Sequence, residues 1–214
     1  MDNIHNIIGI LDELYPDAAC SLNNMDIYQL TIATILSAQC TDEKVNLVTK
    51  SFFEKYPNFY ALADAPLDDI KNEIRSTGFY NNKAMNIKEL AKIVVRKYNG
   101  EMPLTMDILV TLPGIGRKTA NVLLGEYGEV EGIVVDTHVK RLANLIGLSR
   151  SNDPERIEKD LTEIIPKNRW RKISHQLIQH GRNVCIARKP KCDICRINKY
   201  CKFFMTSNID KKDI

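Results

Sequence analysis

Ile4, Ile7, Ile8, Leu11 and Leu14 recur at the three-and-four-residue spacing of one helix face, and the run stops at Tyr15-Pro16. That stripe predicts an amphipathic helix, because one face can leave water while the other stays solvated. The same period returns over 27–37, over 42–56 (ended by Pro57), over 67–75 and over 82–98, which Gly100 closes. It returns again over 105–111, 117–127, 137–146, 154–165 and 169–183. No comparable segment alternates apolar and polar residues with a period of two, so the pattern predicts an all-α chain. The joints are short and marked by Pro, Gly or Asn, without a low-complexity linker or a repeat of solenoid length. Periodicity alone therefore marks no domain boundary.

Composition bounds the picture without sharpening it. A chain of 214 residues, 44% hydrophobic and 27% charged, can bury one good core or two small ones. Asp2 stands where a secretory leader would carry Lys or Arg, and no stretch approaches the roughly 18 apolar residues of a membrane span. The expectation is a cytoplasmic protein with no membrane partner. Charge says more through its distribution than through its total of +3. Between Arg182 and Lys202 seven basic residues face the single acid Asp193, a local net charge of +6. A polyanion such as nucleic acid becomes a plausible partner for that segment.

The same segment holds four of the six cysteines, Cys185, Cys192, Cys195 and Cys201, separated by six, two and five residues. Spacings this short let four thiolates converge on one centre, and four sulfurs suit either Zn²⁺ or an iron–sulfur cluster. Physics does not separate the two at this stage. A second local feature is Leu112-Pro113-Gly114-Ile115-Gly116 between two helical patterns. Its two glycines permit a tight hairpin. The following helix begins near Arg117, so its first amides and its positive dipole end offer an anion site suited to a DNA phosphate.

These two features together identify a resemblance. The run Leu112-Pro113-Gly114-Ile115-Gly116-Arg117-Lys118 and its continuation resemble the helix-hairpin-helix signature of the endonuclease III family of DNA glycosylases. The pattern C-x6-C-x2-C-x5-C resembles that family's [4Fe-4S] ligand set. The resemblance covers roughly residues 1–204 and implies the helix-hairpin-helix glycosylase fold, with two helical domains flanking a DNA-binding groove. One is a six-helix barrel over 20–131; the other joins 1–19 to 132–214 and holds the cluster. A cluster fully ligated by cysteine leaves no open position for substrate, so its implied job is to fix the loop carrying Arg188, Lys189 and Lys191 toward phosphates.

By resemblance, Lys118 is the nucleophile and Asp136, in Val135-Asp136-Thr137-His138, is its partner. The implied reaction removes an oxidised or ring-saturated pyrimidine from duplex DNA and nicks the abasic site by β-elimination through a Schiff base. A carboxylate near the sugar would stabilise the positive charge that develops as the glycosidic bond breaks. An ordinary lysine amine, of pKa about 10.4, needs roughly 4.6 kcal/mol of bias to be half neutral at pH 7. A helix dipole supplies about 0.3–1 kcal/mol of that. Desolvation under bound DNA, or direct proton transfer to Asp136, is expected to supply the rest. Asp136 is equally suited to cap the helix beginning at Thr137, and the two roles are compatible.

Excision also requires the nucleotide to leave the stack and something to fill the gap. Leu36-Ser37-Ala38-Gln39 and Gly78-Phe79-Tyr80-Asn81-Asn82-Lys83-Ala84 resemble the family's gap-filling loops, which makes Gln39 and Phe79 candidates. Phe79 stands where Leu is common and Cys40 where a small non-thiol residue is usual. His138 is a candidate to orient substrate or phosphate. The expected partner is double-stranded DNA with damaged bases or abasic sites, bound by a monomer associated with the nucleoid. Three rival readings remain: a monofunctional mismatch or adenine glycosylase, a noncatalytic helix-hairpin-helix DNA-binding module, and an electron carrier. The monofunctional relatives usually lack a lysine at the position of Lys118.

Overall fold

The computed structural model describes residues 2–209, and among these the regular elements are all helices, with no strand. The chain opens with α1 (Asp2–Leu14) and then builds α2 (Ile27–Leu36), α3 (Asp42–Lys55), α4 (Phe59–Asp64), α5 (Leu67–Ile74) and α6 (Tyr80–Tyr98). It continues through α7 (Met106–Leu109), α8 (Arg117–Tyr127), α9 (Thr137–Ile146), α10 (Pro154–Ile164), α11 (Trp170–Asn183) and α12 (Lys202–Ile209). Two compact units result: Cys20–Glu131, and Met1–Ala19 together with Gly132–Ile214.

The internal unit, α2 to α8, encloses its own core. Leu30, Ile32 and Leu36 of α2, Phe52 of α3 and Ile87, Leu90 and Val94 of α6 lie in one buried cluster. Polar residues set the starts of these helices. Asp26 accepts from the Gln29 amide, Thr41 from Lys44 and Asn58 from Ala61, each satisfying one amide that the first turn leaves without a partner. α4 has no counterpart in the periodicity because six residues between Pro57 and Pro66 are too few to show a stripe. α6 begins at Tyr80, two residues before the apolar pattern suggests, with Phe79 as its N-cap in the left-handed region.

The second unit assembles both ends of the chain. Ile4, Ile7, Ile8 and Leu11 of α1 pack with Val139 and Leu142 of α9, Leu161 of α10 and Leu177 of α11 in a separate buried cluster. Polar contacts fix α1 there: Arg169 pairs with Asp12, Gln176 Nε2 donates to Asp12 Oδ1 at 2.9 Å, and Tyr15 lies 3.0 Å from His180 Nδ1. Asp153, with Pro154 in the first turn, starts α10, and Gly147 at φ +95° ends α9 in the left-handed region. α12, which follows the last cysteine, carries no stripe that periodicity could have found.

Candidate active site

Lys118 lies in the first turn of α8, and its side chain is exposed. The hairpin before it is anchored by Leu112 and Ile115, both 4% exposed, and closed by the Ile115 amide donating to Leu112 O at 3.1 Å. Burying two side chains from one short loop fixes the start of α8 against the core while leaving its polar edge in solvent. Gly114 sits at φ +78°, and a Cβ there would meet Asn86 Cβ at 3.1 Å and Ile35 Cδ1 at 3.3 Å. Gly116 is the α8 N-cap in extended backbone, and nothing lies within 4 Å of where its Cβ would be. No side chain caps α8, so the helix terminus presents backbone amides beside exposed Arg117 and Lys118.

Asp136 belongs to the other unit and caps α9. Its Oδ1 accepts from the His138 and Val139 amides at 2.8 Å each, and its Oδ2 lies 3.0 Å from His138 Nδ1. An ionised carboxylate only accepts, so His138 Nδ1 is the donor in this contact. Side-chain exposure is 16% for Asp136 and 27% for His138. The carboxylate is thus held by three donors on one rigid helix start and still reaches solvent. A neighbouring device, not visible in the sequence pattern, holds the next segment: Arg141 donates to Gly181 O at 3.0 Å and Cys185 O at 2.8 Å.

Gln39 and Phe79 are both exposed and both adopt the left-handed region, at φ 53° and 48°. Phe79, an aromatic side chain, is 63% exposed. Each lies just beyond the end of a helical segment, Gln39 after α2 and Phe79 after the 3-10 turn Arg75–Thr77.

The four cysteines of 185–201 line one small cavity, together with apolar residues including Leu142, Ile146 and Phe204 and with His180, Lys191 and Asn198. They form no disulfide. Four sulfurs on one ion at about 2.3 Å would stand roughly 3.8 Å apart. Among the described residues, however, no three His, Cys, Asp or Glu side chains gather closely enough to hold a single metal ion. Four cysteine sulfurs around one cavity are a donor set that an iron–sulfur cluster accepts. Burial raises the Cys185 and Cys192 thiols above their ordinary range and pushes Cys195 up to about 11, with the neighbouring cysteines adding to each. His180, lowered to about 4 by burial, is neutral, with Nε2 3.4 Å from Cys195 Sγ. Arg188, Lys189 and Lys191 are exposed on the loop between the first two cysteines, and the Lys191 amide ties that loop to Val184 O at 3.0 Å.

Comparison with known proteins agrees with this construction. Residues 32–167 match the HhH-GPD superfamily of base excision DNA repair proteins, and 185–201 match the iron-sulfur binding domain of endonuclease III. Endonuclease III of Synechocystis sp. is 50% identical over 196 residues, covering 91% of this chain and 90% of that protein. Two solved structures, a non-covalent endonuclease III–DNA complex and a trapped covalent endonuclease III–DNA intermediate, each align with TM-score 0.91 at 41% identity. Each covers 97% of this chain and 98% of its own. The cavity and the family match together make 185–201 the [4Fe-4S] segment of this chain. With more than half its length in the superfamily match and near-complete coverage of its relatives, the chain belongs to the endonuclease III family of base-excision repair proteins.

Proposed function

We propose that this protein is a bifunctional DNA N-glycosylase and abasic-site lyase that removes oxidised or ring-saturated pyrimidines from duplex DNA. The observation that carries the reading is the exposed Lys118 amine in the first turn of a helix with no side-chain cap, directly after a core-anchored hairpin. The hairpin glycines bring backbone close to a phosphate, and the α8 terminus favours its charge. Arg117 adds a cation beside it.

In the proposed reaction the neutral Lys118 Nζ attacks C1′ of the damaged nucleotide. The bond from C1′ to the base breaks, and the base leaves with its electron pair and takes up a proton. The sugar ring then opens to a Schiff base between Nζ and C1′. Loss of a C2′ proton expels the 3′ phosphate by β-elimination, and water releases the lysine. Asp136 stabilises the positive charge on the sugar during bond breaking. His138, with its Nδ1 proton committed to Asp136, keeps that carboxylate oriented. Gln39 and Phe79 fill the space the extruded nucleotide leaves.

Cys185, Cys192, Cys195 and Cys201 hold the cluster, whose contribution is to fix the intervening loop. Arg188, Lys189 and Lys191 on that loop meet backbone phosphates. The protein acts as a monomer on its substrate.

A purely DNA-binding module would retain DNA without cutting it, and a monofunctional glycosylase would release the base without nicking. Incubation with a duplex carrying one oxidised pyrimidine separates these outcomes. Base release accompanied by a nick on the 3′ side of the lesion is the expected result, and both should be lost in Lys118→Ala. Base release without nicking by the unaltered protein would overturn the bifunctional reading.

A further inference from the structure

Lys83 is 5% exposed, which is unusual for an unpaired ammonium, and its Nζ donates to Leu36 O at 2.8 Å and Thr77 O at 2.9 Å. Those acceptors are the last residues of two different elements. Leu36 ends α2, and Thr77 ends the 3-10 turn Arg75–Thr77. Gln39 follows the first by three residues and Phe79 follows the second by two. The Lys83 backbone reaches the same region, since its amide donates to Phe79 O at 3.1 Å.

Gln39 and Phe79 also share a conformation that side chains seldom adopt. Among the described residues only one other non-glycine residue, Asn99, has a positive φ, and it closes α6, where that conformation is ordinary. A left-handed aromatic residue persists only where its surroundings over-determine it. Phe79 is 63% exposed, so packing of its own ring does not repay the strain. The surroundings that can hold both positions converge on one buried cation. That cation also faces the negative end of α2. Burial draws the lysine below its ordinary range, and the nearby Cys40 thiol acts in the opposite direction.

We propose that Lys83 is a positioning residue for base extrusion, tying the two gap-filling loops to one ammonium so that Gln39 and Phe79 enter the duplex as a fixed pair. The inference rests on the reading that these two side chains fill the gap. Displacing either loop by about 1 Å is enough to slow a pre-organised reaction a hundredfold. A lesion already unstacked needs no gap filled and should be indifferent.

The test compares Lys83→Met with the unaltered protein on two substrates, the same oxidised pyrimidine in a fully paired duplex and in a short unpaired bubble. Under saturating enzyme, the paired duplex should be processed at least about tenfold more slowly, and the bubble should change by less than roughly threefold. Equal losses on both would overturn the proposal, because a generally loosened protein slows every substrate. An unchanged rate on the paired duplex would overturn it as well. Gln39→Ala and Phe79→Ala, assayed alongside, keep the two questions apart. If neither slows the paired duplex, the gap-filling reading itself fails; if both do and Lys83→Met does not, only the role of Lys83 fails. Should Lys83→Met not fold, Lys83→Arg keeps the charge but spreads its donors over a wider fork, and is read on the same substrates by the same criteria.

Discussion

Asp136 caps α9 and, in the proposed function, also stabilises charge on the sugar, and substitution can separate the two. As the N-cap of α9 it accepts two amide hydrogen bonds. Asparagine caps nearly as well, so Asp136→Asn should melt within a degree or two of the unaltered protein while losing most base release. Asp136→Ala should lose the cap as well, at about 0.5–2 kcal/mol. Calorimetry beside a base-release assay checks the pair, and an active Asp136→Asn would leave the residue only its capping role. The hairpin glycines divide similarly. Gly114→Ala places a Cβ at φ +78° against Asn86 and Ile35 and should destabilise by more than about 1 kcal/mol. Gly116→Ala meets nothing within 4 Å, so its melting temperature should hold, while the proposed phosphate seat predicts that DNA affinity falls. Lys83 shows what residue-level reading could have caught: it shares a helix stripe with Ile87, Leu90 and Val94. A lysine on an apolar face is a signal of buried hydrogen bonding, but the apolar period alone passes over it.

At the scale of elements, α1 is the piece that closes the unit formed by the two chain ends. Its apolar face is buried, and Asp12 links it to Arg169 and Gln176. Burial alone would raise the Asp12 pKa, but hydrogen bonds from Arg169 and Gln176 outweigh it and hold the carboxyl below its ordinary range. A lowered carboxylate stabilises the fold fully above the unfolded value, near 4, and that contribution is lost as pH falls through the folded value. Trp170, the single tryptophan, packs against this core and donates to Ile165 O at 2.7 Å. Its fluorescence should therefore report a smaller acid destabilisation for Asp12→Asn than for the unaltered protein, and identical pH profiles would contradict this role. Ten helices were legible because a stripe of about three turns suffices to declare a period. α4 is too short to show one, α12 has none, and α7 contracts to a single turn.

For the whole molecule, periodicity does not announce two separately buried cores, because α1 and the carboxyl-terminal half are distant in sequence; the family resemblance is what implied that the chain ends join. The cysteine set was legible because its spacing is local; spacing alone left zinc and a cluster open, and the resemblance of the whole pattern implied the cluster that the family match bears out. Lys118 and Asp136 came from a recognised motif rather than from periodicity, since an exposed lysine and a capping aspartate are ordinary by themselves. Binding should be strongly salt dependent, as phosphate contacts release counterions. Replacing Arg188, Lys189 and Lys191 by Ala should lower the slope of log affinity against log salt by roughly 2.7, about 0.9 for each lost contact. An unchanged slope would remove that loop from the DNA interface. The central claim concerns a covalent bond from one amine, and borohydride reduction during turnover captures it directly. A duplex with an oxidised pyrimidine should yield a stable protein–DNA adduct with the unaltered protein and none with Lys118→Ala, both proteins being folded and binding DNA equally. Equal trapping by the two would contradict the account.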